Sequence, residues 1–397
     1  MDDMQVNRTV SNKLQLSVFL CLSTCLAIGI LRFSYTALLP TTRLAYHWDS
    51  SFASILGSAN LLGYLIGAFW SMKLPHTANM PRYLVLASCA GAISLLSCAF
   101  SGFSELWYVV WRIISGISGG LIMILAPSIV AHCCRADERL SINFIGFSGI
   151  GIGVLSATLF LPYLDQISTQ SAWMILFGFS ALICLINAYL LHGFKDYLHQ
   201  TSAQNNSISS MDSIYLSVLI VYACSAFAYV PHSLFWIDYL KNTLHLNLYL
   251  INFNWILYGS GSALGAISAY LLARKFGNFT ALKILYSIYV VAILVAVFSI
   301  HPIFTYISSF FTGLLNPAVV FLTSYTILNL YHTAYKNLWS IATLGFAITQ
   351  LIGGLCFSAL QHWGVSYYQQ FILASGVLLI GTLQFFIYTR MKFKSQA

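Results

Sequence analysis

Charged residues are scarce in this chain of 397 residues, and their scarcity excludes a water-soluble fold. Asp, Glu, Lys and Arg make up only 7% of the sequence, whereas hydrophobic residues make up 59%. A soluble domain carries about 25% charged residues, so a surface with this composition cannot be covered by polar groups. The apolar surface must face lipid, and the chain is predicted to be an all-α integral membrane protein.

Several kinds of site are also missing. The net charge of +8 comes from Lys and Arg scattered singly between apolar runs, without the basic stripe that binds nucleic acid. The nine cysteines show no Cys-x-x-Cys or Cys/His metal spacing, and most lie inside apolar runs, where Cys is a packing residue. A Gly-rich phosphate loop ending in Lys is lacking, which argues against ATP-driven transport. We therefore expect no nucleic-acid partner, no metal and no cofactor.

What the sequence does contain is twelve long apolar runs, each close to the 20 or so residues that a helix needs to cross a bilayer. The first run exceeds a signal-peptide core and lacks a small-x-small cleavage site, so we interpret it as a retained span. The predicted spans are roughly 14–39, 51–72, 82–100, 106–131, 140–164, 171–192, 213–237, 249–273, 281–300, 303–330, 338–360 and 367–389.

The longest polar stretch divides these spans into two sets of six. It covers residues 193–212 and includes Gln-Thr-Ser-Ala-Gln-Asn-Asn-Ser. We predict an N-terminal six-helix bundle over 1–192, a cytoplasmic linker over 193–212 and a C-terminal six-helix bundle over 213–397.

The distribution of Lys and Arg predicts the orientation. Fourteen of the 18 fall in connections on one side of the predicted spans, and only Arg43 and Lys241 fall on the other side. Cytoplasmic loops carry the excess of Lys and Arg. Both termini are therefore expected in the cytoplasm, in a multi-pass protein of the cytoplasmic (inner) membrane.

The two halves repeat a packing pattern. Span 2 carries Gly63 and Gly67 in Gly-x-x-x-Gly spacing, and span 8 carries Gly261 and Gly265 in the same spacing. A basic loop follows in both halves. Small residues four apart let two helix backbones approach closely, and repeated halves are typical of transporters that bind their substrate near the membrane midplane.

Five segments resemble the major facilitator superfamily, and the resemblance covers nearly the whole chain. Segment 112–120 (Arg-Ile-Ile-Ser-Gly-Ile-Ser-Gly-Gly) resembles its Arg-x-x-x-Gly motif, 274–277 (Arg-Lys-Phe-Gly) the end of its loop motif, and 137–139 (Asp-Glu-Arg) its cytoplasmic turn. Segments 29–40 and 58–64 look like the YbfB/YjiJ-type branch. The resemblance implies two pseudo-symmetric bundles of six helices and a secondary transporter, with spans 1 and 4 lining a central cavity.

Two departures limit what the resemblance implies. The loop after span 2 reads Ser-Met-Lys-Leu-Pro over 71–75, without the acidic residue that the family motif usually has there. Span 5 has four glycines but no Gly-Pro pair, so the antiporter motif is incomplete and no exchange mechanism follows from it.

Arg32 and Arg112 are the Lys or Arg residues that lie well inside spans, away from their ends, where a charge costs roughly 2.5–3.5 kcal/mol. With a rise of about 1.5 Å per residue, both lie roughly 9–10 Å below the outer surface. No acidic residue lies deep in a span. The hypothesis is that both guanidinium groups face one aqueous pocket and bind an anionic substrate through their donor forks. The alternative is that one Arg extends its side chain outward to the interface or bonds to backbone carbonyls. This alternative weighs more for Arg112, because this Arg recurs across the superfamily that the chain resembles.

Further polar and aromatic side chains could line the same pocket. On span 1, Cys25, Gly29, Tyr35 and Thr36 share the face of Arg32 at helical spacing. Helix packing is the alternative role for all of them. The predicted substrate-binding set is Arg32, Tyr35, Asn60, Tyr64, Arg112, Tyr229, Trp255, Tyr258, Asn316 and Gln350.

Two short patterns concern protons and enzymatic chemistry. His232 and Asp238, near the outer end of span 7, are the candidates for proton coupling, because His titrates near neutrality. His132 and Asp137 have the His-x4-Asp spacing of some membrane acyltransferases, but this short pattern is easily met by chance and the basic turn between spans 4 and 5 of a transporter already explains it.

The sequence therefore favours a transporter over an enzyme. The predicted protein is a monomeric secondary active transporter that moves a small organic solute, with an anion favoured, by alternating access with proton coupling. A drug or metabolite efflux pump of the same fold is the alternative. Alternatives of another class are a membrane-bound acyltransferase and a transport-like sensor.

Overall fold

A computed structural model describes residues 3–74, 79–164, 168–194, 211–298 and 301–395. These residues contain twelve helices long and apolar enough to cross a membrane, which confirms the predicted all-α architecture, and no strand occurs among them. The helices are α1 (3–45), α2 (Ser50–Lys73), α3 (Met80–Ser97), α4 (Glu105–Cys133), α5 (Arg139–Leu164), α6 (Thr169–His192), α7 (Ser213–Thr243), α8 (Leu248–Phe276), α9 (Asn278–Leu294), α10 (Pro302–Leu330), α11 (Tyr335–His362) and α12 (Tyr367–Ser395).

Short polar side chains start several of these helices. The Asp49 carboxylate accepts a hydrogen bond from the Phe52 amide at 2.6 Å, which satisfies a free N–H in the first turn of α2. Asp212, Asn247 and Ser168 accept equivalent bonds at the starts of α7, α8 and α6. At the junction of α8 and α9, Gly277 has φ +78°, a backbone conformation that favours glycine.

Helices α1 and α7 are not regular along their length. In α1, a π-helix over Cys25–Ser34 separates the α-helices Asp3–Thr24 and Tyr35–Ala45. In α7, π-helices cover Pro231–Phe235 and Tyr239–Thr243. π-Helices are rare and usually single-turn, and they are frequent at functional sites. Arg32 and His232, both singled out from the sequence, lie in these segments.

The chain forms two compact units. The first contains Met1–Ile208 together with Leu328–Ile341, and the second contains Ser209–Ile327 together with Ala342–Ala397. The C-terminal bundle predicted over 213–397 therefore contributes one segment, 328–341, to the first unit. The predicted linker 193–212 falls mostly on residues 195–210, which lie outside the described residues.

Segment 328–341 is held in the first unit by donors that reach backbone carbonyls. His332 Nε2 lies 2.9 Å from the carbonyl oxygen of Ala131, and Trp339 Nε1 donates to that of Met123 at 3.1 Å. The Lys336 ammonium, which is buried, donates to the carbonyl of Leu74 at the end of α2. A cation at this position is favourable because the C-terminal end of a helix carries partial negative charge.

The glycines of the repeated pattern bring helix backbones into contact in both units. A Cβ added at Gly63 would lie 2.1 Å from the Ile113 carbonyl oxygen of α4. A Cβ added at Gly261 would lie 2.1 Å from the Phe310 carbonyl oxygen of α10. Such distances leave no room for a side chain, which confirms the close helix approach predicted from the Gly-x-x-x-Gly spacing.

Candidate functional site

Arg112 is enclosed within the first unit and finds its partners there. Its side chain is only 2% exposed. Nε donates to the Leu56 carbonyl of α2 and Nη1 to the Leu31 carbonyl of α1, both at 3.4 Å. Its Cζ lies 4.0 Å from the centroid of the Tyr35 ring, within cation–π range. The arrangement is the carbonyl-bonded one that the sequence left open as the alternative to substrate contact.

Arg32 has a different environment although it lies in the same unit. It is half-exposed, in the last turn of the π-helix of α1. Its closest aromatic contact is Phe33, whose ring centroid is 5.9 Å from Cζ. Within the described part of the chain, its guanidinium makes no hydrogen bond and no ion pair. Its charge acts on the Tyr64 hydroxyl and on Arg112, so the two arginines are electrostatic neighbours.

The remaining candidates of the first unit pack around Arg112. The Asn60 amide donates to the Arg112 carbonyl at 3.4 Å, and the Tyr35 hydroxyl donates to the Ala53 carbonyl at 3.0 Å. Tyr64 is buried where α2 meets α4, with its carbonyl oxygen 2.6 Å from a Cβ built on Gly120. Asn60 and Tyr35 therefore contact Arg112, and Tyr64 packs between α2 and α4.

The residues expected on one face of span 1 differ in their burial. Cys25 and Tyr35 are buried, and Gly29 abuts Gly153 of α5, where an added Cβ would come within 2.5 Å of the Gly153 Cα. Arg32 and Thr36 are half-exposed. The expectation of one face assumed 3.6 residues per turn, and the π-helix has a wider turn, so residues three or four apart no longer align.

In the second unit, two tyrosines and a tryptophan form one aromatic cluster. The hydroxyl groups of Tyr229 and Tyr258 are hydrogen-bonded to each other, and both residues are buried. The Trp255 ring stacks on that of Tyr258 with centroids 5.1 Å apart and planes at 10°. Trp255 and Asn316 are half-exposed, whereas Gln350 is buried, and among the described residues its Nε2 has no hydrogen-bond partner.

His232 and Asp238 occupy separate environments. The His232 ring is buried, stacks on Trp236 at 4.4 Å, and has Nε2 2.8 Å from the Ser308 hydroxyl. The Asp238 carboxylate is exposed and accepts hydrogen bonds from Tyr367 and, at 2.6 Å, from Asn242. The described residues contain no ion pair between His232 and Asp238. The two candidates are therefore independent of each other.

The sequence analysis did not single out the serines that complete these networks. Ser309 of α10 accepts from Trp236 Nε1 at 2.9 Å and donates to Asn254 at 2.8 Å, and the neighbouring Ser308 donates to the Ala292 carbonyl. In the first unit, Ser115 donates to the Leu31 carbonyl at 3.1 Å. A pair of adjacent serines inside an apolar span was the available signal. It is a weak one, because Ser can bond to its own helix.

The acyltransferase-like pattern does not form a His–Asp pair. His132 Nδ1 lies 2.7 Å from the Ser128 carbonyl oxygen, and Asp137 pairs with Arg135 at 3.3 Å on the surface. Burial raises the pKa of the neighbouring Cys134 thiol to about 11, so this thiol is protonated and a poor nucleophile at neutral pH. No group of three or more His, Cys, Asp or Glu suited to a metal ion occurs in the residues that the structure describes.

The sequence matches one protein family over most of its length. The family described as "Uncharacterised MFS-type transporter YbfB" matches residues 24–385, where MFS denotes the major facilitator superfamily. The match starts just before the π-helix of α1 and ends inside α12, so it takes in every candidate residue named above.

Solved transporter structures share the fold at low sequence identity. The human organic anion transporter MFSD10 (TETRAN) is 15% identical with a TM-score of 0.71, over 95% of this chain and 99% of that one. The proton:xylose symporter XylE, bound to 6-bromo-6-deoxy-D-glucose, is 15% identical with a TM-score of 0.72, over 94% and 95%. A bacterial homologue of the iron transporter ferroportin, in an outward-facing state, is 13% identical with a TM-score of 0.71, over 94% and 99%. At these identities the likeness concerns the fold and not the solute.

Proposed function

This chain belongs to the YbfB-type family of major facilitator superfamily transporters, and from this premise we propose that it is a secondary active transporter of a small organic anion. It works by alternating access, with protons as the coupling ion, and it has no enzymatic activity. It acts as a monomer in the cytoplasmic membrane with both termini in the cytoplasm, as the bias of Lys and Arg favours.

The proposal that the solute is an anion is supported by the contrast between the environments of Arg32 and Arg112. Arg112 is buried and bonded to two carbonyls, so its charge is accommodated inside the protein. Arg32 is half-exposed within a membrane span, and the described residues supply no acceptor for it. A charge at this depth is costly unless something compensates it, and a carboxylate or phosphate of the solute would meet the guanidinium bidentately.

A thermal-shift screen of a metabolite library on the purified protein tests this proposal. Organic anions should raise the melting temperature, and the shift should vanish in Arg32→Gln. A charge-assisted contact is worth about 1.5–3 kcal/mol, so affinity should fall about 10- to 150-fold. Arg43→Gln is the matched control, because it removes the same group further along α1 and should leave binding unchanged. Anion binding that persists in Arg32→Gln would refute the proposal.

The half-exposed Trp255 favours a second candidate, the export of aromatic, drug-like compounds. Its ring is stacked on Tyr258 and offers a flat apolar surface for such a ligand. If the hits are uncharged aromatics that bind Arg32→Gln normally but fail to bind Trp255→Ala, the efflux function replaces the anion transporter.

For proton coupling, Asp238 is the stronger of the two candidates. Its carboxylate is exposed to water, and its hydrogen bonds come from the neutral donors Tyr367 and Asn242. The His232 ring is enclosed between Trp236, Phe371 and Ser308. We therefore expect the proton to be carried by Asp238.

A further inference from the structure

One backbone carbonyl in the first unit receives two side-chain donors from the same neighbouring helix. The carbonyl of Leu31 lies 3.4 Å from Arg112 Nη1 and 3.1 Å from the Ser115 hydroxyl. Arg112 and Ser115 are both buried on α4. Leu31 immediately precedes Arg32 and lies inside the π-helix of α1. The donors therefore act on the backbone at the residue that carries the candidate anion-binding side chain.

The π-helical segment needs outside support because its register is unusual. It extends over ten residues, whereas most π-helices are single turns. A side chain that inserts into the hydrogen-bond ladder of a helix is a recognised cause of local distortion. Donors that occupy the Leu31 carbonyl compete with the amides of the next turn for this acceptor, and so they act on the hydrogen-bond ladder close to where the π-helix ends and the α-helix Tyr35–Ala45 begins.

Two more contacts pin the same segment from either side. Gly29 abuts Gly153 of α5, which holds the backbone two residues before Leu31. Tyr35, the first residue after the π-helix, lies under the Arg112 guanidinium at 4.0 Å. Arg112 thus touches α1 at two points, one inside the π-helix and one beyond it.

The register of this segment determines where Arg32 points. A change from the π to the α pattern shifts the hydrogen bonding by one residue, which corresponds to about 100° of rotation around the helix axis. Such a rotation would move the Arg32 side chain to a different position around α1 and so change its exposure.

We infer that Arg112 and Ser115 are positioning residues. They hold the π-helical register of α1 through the Leu31 carbonyl and so orient Arg32, and neither touches the solute. This inference rests on the proposed function only in taking Arg32 as the residue that meets the anion.

The reactivity of Arg32 tests the inference without a known solute. The purified protein is treated with p-hydroxyphenylglyoxal, a water-soluble reagent for guanidinium groups, and modification is followed residue by residue by peptide mapping. Arg32 should react, whereas the buried Arg112 should not. Arg82 is exposed on α3 and provides an internal reference rate.

Two variants and one matched control separate positioning from stability. Ser115→Ala removes one donor and keeps the charge of Arg112, and a lost neutral hydrogen bond shifts an equilibrium by about 2- to 12-fold. We expect the Arg32 rate, relative to Arg82, to fall about threefold in Ser115→Ala and about tenfold in Arg112→Gln. In Ser118→Ala it should not change, because Ser118 is one turn further along α4 and packs toward Gly91.

Two results would overturn the inference. One is an unchanged Arg32 rate in Ser115→Ala and Arg112→Gln while both variants remain folded, which would leave Arg112 a purely stabilising residue. The other is modification of Arg112 in the unaltered protein, with protection by an anion from the screen, which would make Arg112 a direct contact.

The proposed function fails by a different result. If Arg32→Gln still binds every anion, the anion proposal is wrong, yet a slower Arg32 reaction in Ser115→Ala would still establish the control of register. If Arg32→Gln loses binding but no variant changes the reactivity of Arg32, the inference alone is wrong.

Discussion

Each of the two units has π-helical turns in its first helix, and different side chains contact these turns. In the first, the π-helix of α1 is braced by a cation and a hydroxyl, Arg112 and Ser115, that reach the Leu31 carbonyl. In the second, the π-helix around His232 is braced by two neutral hydroxyls, Ser308 and Ser309, that reach His232 and Trp236.

The comparison shows which properties the internal repeat retains. Close backbone packing through glycine is the same in both units, and both have π-helices in their first helix. Charge is not repeated: the first unit carries Arg32 and Arg112 well inside its helices, whereas the second has the buried His232 imidazole and the buried tyrosines Tyr229 and Tyr258. The glycine contacts require only that no side chain is present at the contact. They therefore do not restrict which side chains occur elsewhere on the same helix.

The largest expected effect tests whether the glycine contacts are equivalent. Gly63→Ala and Gly261→Ala should each lower the free energy of unfolding by about 3 kcal/mol or more, because the new Cβ meets a carbonyl oxygen. The measurement is unfolding in mixed micelles, followed by tryptophan fluorescence. Gly57→Ala is the control: nothing lies within 4 Å of its added Cβ, and helix propensity should stabilise it by about 0.5–1 kcal/mol. If the free energy of unfolding is unchanged in one of the two variants, the glycine contacts of the two units are not equivalent.

A smaller difference is expected between the stabilisation that Arg112 contributes in the first unit and that of Ser309 in the second. Arg112→Met removes two charge-assisted hydrogen bonds and a ring contact and should cost about 2–3 kcal/mol, whereas Ser309→Ala should cost about 1 kcal/mol. The same unfolding measurement compares them side by side. Equal losses would mean that the charge of Arg112 contributes nothing beyond an ordinary hydrogen bond.

The smallest effect concerns His232. His232→Phe keeps the stacking on Trp236 and loses only the bond to Ser308, so it should cost about 0.5–1.5 kcal/mol. Proteoliposomes loaded with a solute from the screen should still respond to a proton gradient in this variant and lose the response in Asp238→Asn. If His232→Phe loses the response to the proton gradient and Asp238→Asn keeps it, His232 is the coupling group. The second unit would then differ from the first in carrying the coupling residue as well.

The spans were predictable because their signal is local. Each apolar run satisfies the length and composition that a bilayer requires, so twelve helices follow from the sequence without tertiary information. Their ends were less well predicted: the seventh extends to Thr243 rather than residue 237, and the ninth begins at Asn278 rather than residue 281. The Asn and Thr residues at these ends are polar enough to escape a count of apolar residues.

The sequence singled out candidate residues, but it could not give the environment of each one. The cost of a charge in lipid singled out Arg32 and Arg112 equally. Their different environments depend on which carbonyls neighbouring helices present, and no pattern along one chain segment encodes that. The single face expected for span 1 was based on α-helical spacing, whereas α1 is a π-helix over Cys25–Ser34.

By itself, the sequence determined that this protein is a twelve-helix membrane protein with a glycine-packed repeat and two arginines within its spans. These properties depend on composition and on spacing along the chain, because the transfer of a segment from water to lipid depends on that segment's own residues. Only the tertiary structure decided that Arg112 is satisfied by backbone carbonyls while Arg32 is left half-exposed. The difference arises from contacts between α1, α2 and α4. One of them is the hydrogen bond between Leu31 and Arg112, which are some 80 positions apart in the sequence.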